Sequence, residues 1–170
     1  IMSSDWSSDV CSSDLCGRCC WQEVPITVFD VHRLAAALGR PAADVFELAV
    51  GPRARLRRNA FSIRRDAAGR CVFHDPKTRE CRVHAFKPRV CRFFPCGKLI
   101  VRDPARFRRQ FLAATPPELF WEHKLAEEAT AEYLSRHGSA WDAGSFAELV
   151  EATERRLAAV LRDLADADRG

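Results

Sequence analysis

The sequence lacks several features that would assign it to common protein classes. It has no run of about 18 apolar residues, so no transmembrane helix is predicted. Its amino terminus has no basic segment followed by an apolar one, so no signal peptide is predicted. We therefore expect a cytoplasmic protein with no membrane partner. Because disulfides are rare in that compartment, its cysteines indicate metal or redox chemistry.

The length and composition are those of one globular domain, alone or with an appendage. The chain has 170 residues, of which 47% are hydrophobic and 29% are charged. This is enough apolar material for a core, so the cysteines are not needed merely to hold a very small scaffold together. The net charge of +4 comes mostly from arginine, which permits an acidic partner without requiring one.

Residues 1–15 have no helical or strand period and repeat the tripeptide Ser-Ser-Asp. The stretch 5–15 resembles the translated read of a sequencing adapter. We therefore expect residues 1–15 to be an artefactual or disordered leader fused to a truncated gene. Cys11, which lies in this leader, is accordingly a poor ligand candidate.

The other seven cysteines form two groups about fifty residues apart, which predicts one composite metal site closed by the fold. Cys16 and Cys19 have metal-knuckle spacing, and Gly17 allows the tight turn between them. Adjacent side chains usually diverge, so the thiol of Cys20 points away from that of Cys19. We expect Cys20 to reach a second metal, to bridge two metals or to lie behind the ligands. The second group comes from different loops and can complete a tetrahedral site. The predicted metal ligands are Cys16, Cys19, Cys20, Cys71, Cys81, Cys91 and Cys96.

Seven thiolates exceed the four of a site with one metal, so either two metals are bound or some thiols are spare. His74 and His84 lie three residues after Cys71 and Cys81 and are candidates to complete the number. Zinc and iron both accept such ligands, and the spacing matches neither ferredoxin pattern. The choice between zinc, iron and an iron–sulfur cluster therefore stays open. If the metal is structural, a chelator should unfold residues 16–100 and leave the C-terminal helices partly intact.

The predicted fold class is α+β and mainly α, with a small Cys-rich core. Thr27 and Asp30 form a capping box that starts a helix ended by Gly39. A second short helix follows Pro41. Residues 53–74, with a turn signal at positions 66–69, predict a short β-hairpin that delivers Cys71 to the metal site.

Two or three amphipathic helices are predicted at the C-terminus. Capping boxes at residues 115–118 and 145–148 each start a helix, and another is expected from about residue 103. We divide the chain into the leader, a metal-binding domain over 16–100 and a helical extension over 101–170 packed on it. The alternative for the extension is a helix that binds a protein partner or dimerises.

Four segments together resemble the YkgJ-like cysteine cluster proteins, the CxxCxxCC family of zinc- or iron-chelating domains. They correspond to the patterns D-x-x-R-L-A, C-x-F, C-x-[IV]-[YH] and R-P-x-x-C-R-x-[FY]-P, at residues 30–35, 71–73, 81–84 and 87–95. In the last pattern Lys87 replaces the usual arginine. The resemblance covers about residues 16–100 and implies metal chelation by the cysteines of a bacterial protein, without implying a reaction. Ser13 stands where the family's first cysteine is expected, which predicts incomplete metal occupancy.

Binding of zinc or iron, with a mainly structural or accessory metal, is the leading hypothesis for function. The first alternative is a redox or methyl-transfer accessory enzyme, because a related cysteine domain occurs in flagellin lysine methylases. The sequence shows no glycine-rich cofactor loop and no acid/base set, so an enzyme is not favoured. The second alternative is a zinc-knuckle nucleic-acid binder that uses the arginines of residues 53–65. Those arginines lie on a predicted strand whose polar face would be solvated anyway, so nucleic acid is not an expected partner.

Overall fold

The computed structural model describes residues 18–50, 60–93 and 116–167. The fold is α+β and mainly helical, as predicted. The two short strands are β1 (Pro25–Ile26) and β2 (Phe61–Ser62), and 3-10 turns occupy Arg18–Trp21 and His84–Phe86. The helices, in chain order, are α1 (Val28–Leu38), α2 (Ala42–Ala49), α3 (Arg89–Phe93), α4 (Pro117–His137) and α5 (Ala143–Ala167). Within these described ranges, no helix combines the length and apolarity needed to span a membrane.

Helix α1 begins and ends at the residues that the sequence predicts. The Thr27 hydroxyl accepts a hydrogen bond from the Asp30 amide at 3.2 Å, and the Thr27 amide donates to the Asp30 carboxylate at 2.9 Å. This reciprocal capping box satisfies amides that the first helical turn would leave unpaired. Gly39 ends the helix in the left-handed conformation, with φ of 60°, which glycine adopts without steric cost. The capping box and the stop signal are both confirmed.

Strands β1 and β2 pair in an antiparallel sheet that the sequence did not indicate. Ile26 lies opposite Phe61, and the Ile63 amide continues the ladder by donating to the Val24 carbonyl at 2.9 Å. The first residue of β1 is Pro25. Proline is tolerated here because each strand has only one neighbour, so a missing N–H can face away from the ladder. The pairing holds the segment after Cys20 against the segment that leads to Cys71.

The predicted turn at residues 66–69 is present. The Asp66 amide donates to the Arg70 carbonyl at 2.7 Å, and Gly69 has a φ of 80°. The Asp66 carboxylate accepts a hydrogen bond from the Arg70 amide at 2.8 Å, and this bond lowers the pKa of Asp66. The turn places Arg65 directly opposite Cys71, so Cys71 is delivered by a hairpin as predicted.

The two C-terminal helices pack on each other as a hairpin, but their predicted caps are wrong. The N-cap of α4 is Pro116, which makes no side-chain capping bond, one residue after the predicted Thr115. The start of α5 is capped by Asp142, whose carboxylate accepts a hydrogen bond from the Ser145 amide at 2.7 Å. Because Asp142 is also a good N-cap residue and lies three positions earlier, Ser145 falls inside the helix. The helix predicted from about residue 103 lies outside the described residues.

An aromatic cluster forms the centre of the buried core. The ring of Phe46 packs edge-on against Phe61, with centroids 5.2 Å apart, and lies 5.1 Å from Trp141. Tyr133 and Phe146 complete the cluster from α4 and α5. Burial raises the pKa of Tyr133, whose hydroxyl donates to the Ala140 carbonyl at 2.9 Å. One continuous core therefore combines residues from the predicted metal-binding domain and from the predicted helical extension.

A buried hydroxyl joins α1 to α4. The Thr130 hydroxyl accepts a hydrogen bond from the Val28 amide at 2.9 Å and donates to the Ala126 carbonyl at 2.7 Å. Val28 is the first residue of α1, so its amide has no acceptor within the helix. Thr153 on α5 is also buried, and its hydroxyl donates to the carbonyl of Leu149, one turn earlier in the same helix.

We predict that Thr130→Val destabilises the protein by about 1–3 kcal/mol, because it leaves the buried Val28 amide without an acceptor. Thr153→Val is the matched control and should destabilise the protein much less, because the Leu149 carbonyl keeps its amide partner within the helix. Urea unfolding followed by circular dichroism measures both values. Equal effects of the two substitutions would contradict a specific role for the Thr130 hydroxyl.

Candidate metal centre

The structure describes the side chains of four of the seven predicted metal ligands. Cys20 and Cys71 are buried, with 5% and 8% of their surface exposed, and Cys81 and Cys91 are half-buried. The backbone of Cys19 lies in the 3-10 turn Arg18–Trp21. The remaining predicted ligands, Cys16 and Cys96, lie outside the described residues.

A backbone hydrogen bond joins the two cysteine groups. The Cys71 amide donates to the Cys20 carbonyl at 2.7 Å, although the two residues are far apart in sequence. This contact joins the bridge between Arg65 and Cys71 to the N-terminal knuckle. The Arg65 guanidinium reinforces it by donating to the carbonyl of Trp21. The fold thus brings the N-terminal group and the loop group into direct contact.

Two equivalent turns present the cysteines of the second group. In residues 71–74 and again in residues 81–84, the histidine amide donates to the cysteine carbonyl three positions earlier, at 2.9 and 3.0 Å. In each turn the third residue, Phe73 or Val83, is buried in the core. The apolar residue anchors the turn, and the cysteine and histidine occupy its two ends. This explains why both segments share a cysteine followed two positions later by a large apolar residue.

The first of these turns is paired with the start of the second. The Arg82 amide donates to the Phe73 carbonyl and the Asp75 amide to the Glu80 carbonyl, both at 2.8 Å. These bonds flank His74 and Cys81, which lie directly opposite each other. Such a non-hydrogen-bonded antiparallel pair has Cα atoms about 4.5 Å apart and side chains on the same face. The imidazole of His74 and the thiol of Cys81 are therefore neighbours.

A carboxylate closes the loop between His74 and Cys81. The Asp75 side chain accepts a hydrogen bond from the Lys77 amide at 2.8 Å and a longer one from the Thr78 amide. The first of these bonds is the main reason that the pKa of Asp75 is lowered. Arg79 adopts a φ of 64° in the same loop, a conformation uncommon for a residue with a side chain. Asp66 and Asp75 thus anchor the two loops that precede Cys71 and Cys81.

Cys91 lies in the short helix α3, whose start is held by α1. The Cys91 amide donates to the Pro88 carbonyl at 2.9 Å. The Arg89 amide donates to Oδ1 of Asp30 at 2.8 Å, while Oδ2 of the same carboxylate accepts from Thr27. Asp30 is buried, with 6% of its surface exposed. One carboxylate therefore orders the first turn of α1 and the first turn of the helix that carries Cys91.

Arg89, two residues before Cys91, does not face solvent. Only 10% of its side chain is exposed, and its guanidinium lies 3.2 Å from the carboxylate of Glu122. Glu122 also pairs with Arg33 of α1, so this α4 carboxylate links three helices. No sequence signal distinguishes Glu122 from the other acidic residues of a charged helix face.

The residues present fit a thiolate-bound metal, although the described part alone does not complete a cage. Among residues 18–50, 60–93 and 116–167, no three histidine, cysteine or acidic side chains already form a metal-holding group. Nδ1 of His74 is buried and has no hydrogen-bond partner within the described part of the chain. Cysteine and histidine are the donors that zinc and iron take in proteins. The cysteine-bearing loops and this imidazole nitrogen together form the donor set expected for such a metal.

Comparison with known proteins identifies the family. Residues 10–113 match the model of the CxxCxxCC family, described as a putative zinc- or iron-chelating domain, and the chain belongs to this family. The chain is also 30% identical over 81 residues to the uncharacterized protein MJ0661 of Methanocaldococcus jannaschii. That alignment covers 47% of this chain and 41% of the relative, so the chain matches less than half of the relative's length. No solved structure matches the chain. The family resemblance and the assignment to metal binding are confirmed.

Proposed function

We propose that this chain binds zinc or iron, singly or as an iron–sulfur cluster, through its two cysteine groups, and that the metal is mainly structural. The predicted ligands remain Cys16, Cys19, Cys20, Cys71, Cys81, Cys91 and Cys96. The observation that carries the proposal is the 2.7 Å hydrogen bond from the Cys71 amide to the Cys20 carbonyl. Because this bond joins the two groups directly, ligands from both can reach a shared site.

The short elements around the cysteines support a structural role. Cys71 and Cys81 lie in isolated bridges, outside the two-residue strands, and Cys91 lies in a helix of five residues. Elements this short gain little stability from their own hydrogen bonds. A metal bound by thiolates cross-links the loops that carry them and contributes folding free energy. The buried side chains of Phe73 and Val83 anchor the two turns in the core.

A cytoplasmic location is part of the proposal. Thiolate ligands have to stay reduced, and the cytosol keeps thiols reduced. Among the described residues, no observation favours the enzymatic or the nucleic-acid alternative. The arginines at positions 53–58, on which the nucleic-acid hypothesis depends, lie outside the part of the chain that the structure describes.

Metal analysis of the full chain tests the proposal. After anaerobic purification, we expect at least one zinc or iron per chain by elemental analysis. Zinc gives a colourless sample, whereas an iron–sulfur cluster absorbs near about 400 nm. Cys71→Ser should lower the metal content, because it removes a thiolate at the junction of the two groups.

Cys11→Ser is the matched control for Cys71→Ser, since Cys11 is the cysteine not predicted to be a ligand, and it should leave the metal content unchanged. The proposal would be overturned if neither the purified chain nor the chain reconstituted with Zn²⁺ or Fe²⁺ and sulfide held metal. Equal losses from Cys11→Ser and Cys71→Ser would contradict the assignment of the ligands.

A further inference from the structure

We propose that His74 is a protein ligand of the bound metal, through Nδ1, beside Cys71 and Cys81. The inference rests on the proposed function and deepens it, because it adds a nitrogen donor to a set that otherwise contains only thiolates. It starts from the buried Nδ1 atom, which has no hydrogen-bond partner among the described residues.

A histidine that serves only to fill the core would normally pair its buried nitrogen. An unpaired buried polar atom costs about 1–3 kcal/mol, and most such atoms are satisfied by protein or water. Coordination to a metal satisfies a nitrogen lone pair as well as a hydrogen bond does. The unpaired nitrogen is therefore available to a ligand that lies outside the hydrogen-bond network of the fold.

The backbone places this imidazole between two predicted ligands. The His74 amide donates to the Cys71 carbonyl at 2.9 Å, so the two residues are the ends of one tight turn. His74 also faces Cys81 in the closely spaced type of antiparallel pair, where side chains share one face. Cysteine at position 71, histidine at 74 and cysteine at 81 are therefore positioned by the same two backbone contacts.

His84 has the same spacing from a cysteine but a different environment. Its amide donates to the Cys81 carbonyl at 3.0 Å, as in the first turn, yet the residue is exposed and lies in the 3-10 turn His84–Phe86. Within the described residues, His84 takes part in none of the isolated β-bridges. His74 and His84 thus have the same spacing from a cysteine, but burial and bridge pairing favour only His74 as a ligand.

X-ray absorption spectroscopy at the edge of the metal that the purified chain carries tests the inference. For zinc, the wild-type chain should show a nitrogen shell at about 2.0–2.1 Å beside sulfur at about 2.3 Å. His74→Ala should remove the nitrogen shell and weaken metal retention against a competing chelator by at least about 100-fold, the upper end of losses known for groups behind the ligands. His84→Ala should change neither quantity.

His74→Cys keeps the inference testable if His74→Ala fails to fold. It should retain the metal content and replace the nitrogen shell with an additional sulfur. A wild-type spectrum without nitrogen, or a nitrogen shell that persists in His74→Cys, would overturn the role of His74 while leaving metal binding by the cysteines intact. A wild-type chain without any metal would instead overturn the proposed function itself.

Discussion

Removal of the metal by excess chelator is expected to abolish the hydrogen-exchange protection of the cysteine loops while the helical core keeps its protection. The amides concerned are those whose bonds hold the loops together, namely Cys71, Val72, Asp75 and Arg82. We expect their exchange to accelerate by at least about 100-fold. Amides within α1, α4 and α5 should change by less than about tenfold.

The contrast follows from the different sources of stability in the two regions. A structural zinc contributes about 10–16 kcal/mol in small metal domains, as much as the net stability of a whole domain. The loops have little to replace it, since their ladder contains only isolated bridges. The helices, in contrast, bury the aromatic cluster around Phe46 and Tyr133, which does not involve the cysteines. Regions of one protein with such different packing open independently.

This expectation is narrower than the one drawn from the sequence, in which all of residues 16–100 unfold. Helices α1 and α2 lie within that range, but they share their core with α4 and α5. Addition of the metal back to the chelated protein should restore loop protection, which controls for damage by the chelator. Uniform loss of protection in loops and helices would show that the metal and the helical core form one cooperative unit. Unchanged loop protection would show that the metal is not structural.

Local signals in the sequence predict the parts of this fold that depend on neighbouring residues. The capping box of Thr27 and Asp30 and the stop at Gly39 act within one helical turn, so tertiary contacts have little opportunity to override them. The turn at residues 66–69 is similarly local. The predicted start of α5 was wrong because two N-cap candidates, Asp142 and Ser145, lie within one turn of each other. The sequence does not show which of them caps the helix.

Contacts between distant residues could not be predicted in this way. The pairing of β1 with β2 depends on two strands of two residues each, too short to show a strand period. The bond between Arg89 and Asp30 joins residues 59 positions apart. We interpreted the Asp30 carboxylate only as a helix cap, which uses one of its two oxygens. The second oxygen could accept a hydrogen bond from another element, but no sequence pattern predicts that the donor lies in α3.

The cysteine spacing predicts a site but not how its parts meet. For Cys20 the sequence argument concerned only its thiol, which diverges from that of Cys19. The structure shows that the Cys20 carbonyl makes the contact with the second group. Arg65 was assigned to a solvated arginine stripe, whereas it lies opposite Cys71 and donates to the carbonyl of Trp21. Both contacts depend on the backbone register, which the sequence does not reveal until the pairing of the strands is known.

Substitution of Asp30 is expected to weaken the fold and the metal site together. Asp30→Ala removes the acceptor of the Thr27 and Arg89 amides and leaves both near the protein interior without that partner. At about 1–3 kcal/mol for each buried group left unpaired, we expect a loss of about 2–4 kcal/mol in the free energy of unfolding. Because α3 carries Cys91, we also expect faster release of metal to a chelator.

Asp30→Asn separates hydrogen bonding from shape. Its amide has the size of the carboxylate but only one acceptor oxygen, so it can serve either Thr27 or Arg89 and must turn an N–H group toward the other donor. We therefore expect a loss nearly as large as that of the alanine variant, about 2–3 kcal/mol. If the side chain acted only by filling space, the asparagine variant would be as stable as the wild type.

Asp44 provides the matched control for both Asp30 variants. It also lies in the first turn of a helix, but it is exposed, and its carboxylate lies 3.6 Å from the exposed guanidinium of Arg40. Asp44→Ala should cost less than about 0.5 kcal/mol and leave metal release unchanged, because an exposed ion pair contributes little. Urea midpoints and the half-time of metal transfer to a chelator measure both properties in all three variants. If Asp30→Ala lost stability but released metal at the wild-type rate, Asp30 would serve α1 alone, and the anchoring of Cys91 through α3 would be contradicted.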